Sequence, residues 1–171
     1  MPNQEEAIRE GLKHLSDIVE GKITLQELSG LSDEDVNAIL ALGALMYQQG
    51  RRAEAEDLFR GAVLLNRKNA LAQSALGTVL TAEGKHDEAL EALNAALELN
   101  PSDIAALVNR AEVHLKRAEF KEASEDLKRA IALDPEGTDP AANRARAIMV
   151  GMSELVKEIQ KQIEQDQSGQ A

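Results

Sequence analysis

The chain has 171 residues, 43% apolar and 2% aromatic, with no tryptophan and no cysteine. That is enough for one compact domain or a short helical array packed on Ala and Leu, and the scarcity of β-branched runs speaks against an extensive sheet. The absence of cysteine excludes disulfides and thiolate chemistry, and a formal charge of −11 argues against phosphate-backbone binding, which needs clustered Lys and Arg.

From the N-terminus, Met1-Pro2-Asn3-Gln4-Glu5-Glu6 is acidic where a secretory leader would be basic. Residues 4–20 then read as a helix with Ile8, Leu12, Leu15 and Val19 on one face. Gly21 breaks it, and Thr24-Leu25-Gln26-Glu27 reads as a capping box opening a short helical turn. Ser32-Asp33-Glu34-Asp35 is a second capping signal. Residues 1–35 are thus a predicted helical cap, and self-association through the N-terminal helix, giving a homodimer, fits the same stripe.

From residue 36 the chain repeats itself every 34 residues. Gly43, Gly77 and Ala111 share one register; Ala55, Ala89 and Ala123 another; Phe59, Leu93 and Leu127 a third; Ala62, Ala96 and Ala130 a fourth. The period and residue types match the tetratricopeptide pattern, a helix–turn–helix unit. Three units are expected, over 36–69, 70–103 and 104–137. The small residue at Gly43, Gly77 and Ala111 marks a close helix crossing, with Leu42, Leu76, Phe59, Leu93 and Leu127 filling the space around it. Gly50 and Gly84 stand at the turns, where left-handed backbone suits glycine, and Ala118 takes that place in the third repeat. Pro101 and Pro135 close the second helices.

Asp139-Pro140 then reads as an N-cap followed by proline at the first helical position. The helix after it, over 138–164, carries Ala145, Ile148, Met152, Leu155, Ile159 and Ile163 at spacings of three and four. It suits a cap on the array, and its near-heptad stripe also suits pairing with a partner. Residues 165–171 read as a polar, disordered tail. The expected fold is all-α, a right-handed tetratricopeptide-repeat solenoid.

Nothing in the sequence points to catalysis, a cofactor or a metal. His14, His86 and His114 have no metal-ligand spacing, and His114 falls where a side chain packs inside its repeat. There is no phosphate loop and no nucleophile elbow. No apolar run approaches the roughly 18 residues of a membrane span. The expectation is a cytoplasmic protein, not an enzyme, with a protein partner and no nucleic-acid or membrane partner.

In a stacked array the first helix of each repeat lines a concave face. The predicted peptide-binding groove takes Asn37, Leu40, Ala44 and Tyr47 from repeat one. Leu71, Ser74, Ala75, Thr78 and Ala82 follow from repeat two, then Ala105, Val108, Asn109 and Glu112 from repeat three. Small side chains leave room for an extended peptide, and Leu40, Tyr47, Leu71 and Val108 would wall pockets for its apolar anchors. Tyrosine is a frequent interface anchor, although Tyr47 would equally pack on the N-terminal helix. Repeats that clamp a C-terminal carboxylate use Lys, Asn and Arg at set positions. Here those read Leu40, Ala44, Ala75, Ala105 and Asn109, which disfavours such a clamp.

The stretch Thr24-Leu25-Gln26-Glu27-Leu28-Ser29-Gly30-Leu31-Ser32, followed by Ala41-Leu42-Gly43 and by the run from Tyr47 to Phe59, resembles the class II chaperones of bacterial type III secretion systems. Three repeats between an N-terminal helix and one long C-terminal helix is that family's plan too. The resemblance implies a chaperone that holds an extended segment of a translocator client in its groove and protects it before export. A general tetratricopeptide scaffold in a multiprotein complex is the alternative.

Overall fold

The structure is a computed structural model that describes the backbone of residues 4–168 and the side chains of residues 9–166. Within the described residues the chain forms nine helices and no strand. Its contacts divide it into two units, Met1–Asn100 and Pro101–Ala171.

The first unit holds α1 (Gln4–Val19), α2 (Leu25–Ser29), α3 (Asp33–Gln48), α4 (Arg52–Leu65), α5 (Ala70–Ala82) and α6 (His86–Leu99). Both capping boxes form as the sequence indicates. Thr24 Oγ1 accepts the Glu27 N–H at 3.1 Å while Glu27 Oε2 accepts the Thr24 N–H at 2.7 Å. Ser32 and Asp35 repeat the exchange at 3.2 and 2.9 Å. The Ser32 hydroxyl, then its backbone N–H, hold the Asp35 carboxyl below its usual value. Asn69 caps α5 by accepting the Ala72 N–H at 3.0 Å. Gln26, 5% exposed, donates to Asp33 at 2.7 Å and accepts from Asn66 at 3.3 Å, so one buried amide fastens α2 to the start of α3 and the end of α4.

The repeat register explains the pairing of α3 with α4 and of α5 with α6. A methyl on Gly77 would stand 2.5 Å from Leu93 Cγ, and one on Gly43 2.5 Å from the Phe59 ring, so each crossing is too close for a Cβ. Ala55, Ala62, Ala89 and Ala96 have no exposed surface on the facing helices. Between repeats, the buried Glu56 carboxylate on α4 accepts from Arg60 at 2.8 Å and from Lys85 at 2.6 Å, and Arg60 continues to Glu88. One predicted filler behaves differently: Leu42 is 46% exposed where its counterpart Leu76 is 6% exposed. Leu76 stands on a repeat with another before it; Leu42 stands on the first, and among the described residues no helix buries it as Leu76 is buried. Nor does α1 cap the repeats along its length, since Leu12, Leu15 and Val19 are 62%, 60% and 86% exposed. The side chain of Ile8, expected on that stripe, lies outside the described residues.

The second unit holds α7 (Ile104–Lys116), α8 (Phe120–Leu133) and α9 (Pro140–Ser168). Asp103 caps α7 through the Ala106 N–H at 2.9 Å. A two-point pair between Arg110 and the buried Asp126, 2.7 Å at each contact, locks α7 to α8. Asp139 caps α9 through the N–H groups of Ala141 and Ala142 at 2.7 and 3.0 Å. α9 packs against both α8 and α7, with Ala142 and Ala145 fully buried. It runs to Ser168, so residues 165–168 continue the helix instead of opening a tail; residues 169–171 lie outside the described residues.

Candidate functional site

Taken unit by unit, the structure sorts the residues predicted for the groove by depth. On α3, Asn37 and Ala44 are exposed and Tyr47 half-buried; on α5, Leu71 is 59% exposed and Ala75, Thr78 and Ala82 are half-buried. These two helices touch, with Leu71 the second residue of α5 and Tyr47 the last but one of α3, so the two stand toward opposite ends of this face of the first unit. Thr78 turns its hydroxyl back to the Ser74 carbonyl at 2.8 Å. Along this face most side chains are small, with Asn37 and Thr78 polar and Leu71 and Tyr47 the bulky members.

Leu40, Ser74 and Val108 do not line that surface. They are 5%, 4% and 0% exposed. Each stands three residues before a crossing residue, Gly43, Gly77 or Ala111, and so lies on the buried side of its helix. That spacing was readable in the sequence and places the position inside the repeat. Leu40 and Val108 therefore form floor, not wall.

In the second unit Ala105 is exposed, but Asn109 is 4% exposed and Glu112 half-buried. One residue explains both: Arg144 on α9 donates to Asn109 Oδ1 at 2.6 Å and pairs with Glu112 at 2.9 Å. The C-terminal helix therefore covers the polar part of the face that α7 would offer a peptide. Arg144 went unnoticed in the sequence because it sits 35 residues from Asn109, beyond any local pattern. Among the five clamp positions, Asn109 is the only one with a polar side chain, and it is buried in this contact.

Further apolar clefts lie away from the first-helix patch of α3 and α5. One is lined by Leu42, Met46 and Leu58 with Arg51, Glu54 and Asp57 at its rim; another lies between the end of α1, Leu25 and the end of α4. His114, 16% exposed, lies 2.6 Å from Glu119, which also takes Arg117 at 2.9 Å. These partners, His114 first, hold the Glu119 carboxyl below its usual value. Among the described residues no group of three or more His, Cys, Asp or Glu is placed to hold a metal ion, and no helix is long and apolar enough to cross a membrane.

Two family models, both described as tetratricopeptide repeat, match residues 40–104 and 80–149, together well over half of the chain. The sequence matches no curated protein. Among solved structures the chain is similar to the type III secretion translocator chaperone SycD of Yersinia enterocolitica (20% identity, 75% of this chain and 98% of that one, TM-score 0.66). It is similar also to a chain of a type III secretion complex from Aeromonas hydrophila (21% identity, 85% and 98% covered, TM-score 0.71). PcrH of Pseudomonas aeruginosa, solved with the chaperone binding region of PopB, shares 25% identity over 69% of this chain and 97% of that one, with a TM-score of 0.62. The 34-residue register, the close glycine crossings and these matches agree that the chain belongs to the tetratricopeptide-repeat family, with the fold that the type III secretion translocator chaperones share.

Proposed function

We propose that the chain is a cytoplasmic chaperone of a bacterial type III secretion system that holds an extended segment of a translocator client, binding it without chemistry. The observation that carries this reading is the face of α3 and α5, where Leu71, 59% exposed near the start of α5, and the half-buried Tyr47 near the end of α3 stand apart with the small residues Ala75 and Ala44 between them in the repeat register. An exposed leucine and a tyrosine separated by small side chains suit an extended peptide that lays alternate apolar side chains along the face. The likeness to PcrH, which was solved with a segment of PopB, supports the same reading. The burial of Asn109 speaks against capture of a terminal carboxylate, so the bound segment is internal to its client.

Co-expression with a translocator carrying long apolar segments tests this. The client should be insoluble alone and soluble in complex with the chain, and Tyr47→Ala and Leu71→Ala should each weaken the complex about tenfold. A folded chain that leaves every such client insoluble overturns the chaperone reading and favours a scaffold.

A further inference from the structure

The C-terminal helix does two things with one face. Ala142, Ala145, Met149, Met152, Val156, Ile159 and Ile163 follow one another at alternating steps of three and four, a single a/d seam. Its first two members are fully buried on α7 and α8, whereas Val156, Ile159 and Ile163 are 52%, 51% and 50% exposed. From Ser153 onward every described residue of α9 is exposed. The seam thus continues past the end of the surface that covers it.

We propose that a second copy of this chain covers the outer seam, with the two α9 helices antiparallel. The reason is the self-complementary order of the side chains. With the two-fold axis between Lys157 and Glu158, Met152 meets Ile163 of the other copy and Val156 meets its Ile159, giving four apolar layers; at each end the next seam pair is Met149 with Asp166, which sets the limit of the apolar contact. The positions flanking the seam, Ser153, Gln160, Leu155 and Gln162, are all uncharged, so nothing repels an identical helix. Glu154, Lys157, Glu158, Lys161 and Glu164 all fall on the far side. A parallel pair is disfavoured twice: Asp166 would face Asp166 on the seam, and two copies of α7 and α8 would crowd one end. The mixed-charge outer face has no basic rim to hold an anionic membrane surface. The overlap, residues 149–166, is about 27 Å long, which puts the contact at the low end of specific interfaces, below about 1,200 Å². The dimer is therefore weak and concentration-dependent. This inference is independent of the proposed client.

Sedimentation equilibrium of the full chain, from micromolar to several hundred micromolar, tests it. Dimer should accumulate with concentration, Ile159→Asp should weaken it at least about tenfold without loss of helicity, and Leu12→Asp should leave it unchanged. The chain's lack of cysteine makes orientation readable. A mixture of Val156→Cys and Ile159→Cys chains should form the mixed disulfide in preference to either symmetric one. A chain that stays monomeric at all concentrations overturns the proposal. So does a dimer that survives Ile159→Asp and is lost in Leu12→Asp, which would seat the second copy on α1. Efficient self-crosslinking of Val156→Cys overturns the antiparallel order. A monomeric chain whose client complex is lost in Ile159→Asp gives the seam to the client instead.

Discussion

Ala118 is the one residue with a Cβ and a positive φ among those described, at 60°. Gly50 and Gly84, its equivalents in the first two repeats, sit at 78° and 74°. An L-residue there costs roughly 1–2 kcal/mol, partly offset by the smaller entropy alanine loses on folding. Ala118→Gly should therefore stabilise the chain by about 0.5–1 kcal/mol, read as a higher urea midpoint. The opposite change tests the crossings. Gly77→Ala would place its methyl 2.5 Å from Leu93 Cγ and 3.4 Å from the Leu93 backbone nitrogen, atoms too near the main chain to swing away. A loss of about 1–3 kcal/mol is expected in the same titration. Both features were legible in the sequence because each is a property of one register position repeated every 34 residues. The depth of Leu40, Ser74 and Val108 was equally present in that register, one turn from the crossing residue.

Elements meet their neighbours through a few polar hubs, and the connection from α8 to α9 is organised by one of them. Asp134, 6% exposed, accepts the N–H groups of Thr138 and Asp139 at 3.1 and 3.2 Å, the Thr138 hydroxyl at 3.0 Å, and Arg146 at 3.0 Å. Burial alone would raise the carboxyl's pKa, but the Arg146 guanidinium and these N–H donors outweigh it and hold it below the ordinary value of 3.8. A carboxyl depressed in the folded state stabilises it above the unfolded pKa and loses that contribution as pH falls through the folded one. Asp134→Asn should accordingly be less stable than the parent near neutrality, and the gap should close as the pH drops below about 4. Thermal unfolding of both chains from pH 7 to pH 2.5 measures it; a gap that stays constant would remove the carboxylate's charge from the account. The helix starts were visible in the sequence, because caps are local: Thr24, Ser32 and, beside this hub, Asp139 act within three residues of themselves. How far a helix is covered is set by distant chain. That is why α1 reads as a cap yet leaves Leu12, Leu15 and Val19 exposed, and why α9 holds its form beyond Gln165.

At the scale of the whole chain, the two units offer a peptide different surfaces. The first presents Tyr47, Leu71 and small neighbours unobstructed, whereas in the second Arg144 occupies Asn109 and Glu112. If client binding runs over the first-helix face, its energy should come from the first unit. Tyr47→Ala and Leu71→Ala should together weaken binding by about 2 kcal/mol or more, roughly the sum of the single effects, because the two sites stand well apart along the face. Asn109→Ala should leave client affinity unchanged and register instead as lost stability, since it removes the buried Asn109 amide that holds Arg144 of α9 to α7. Arg144→Ala discriminates further. It frees Glu112 and uncovers Asn109 while keeping both, so a client that extends onto α7 would bind this variant more tightly. Titration of one purified client segment into the four chains, with unfolding midpoints taken in parallel, separates binding from folding. An Asn109→Ala chain that folds normally but no longer binds would move the site to the second unit and return α7 to the groove.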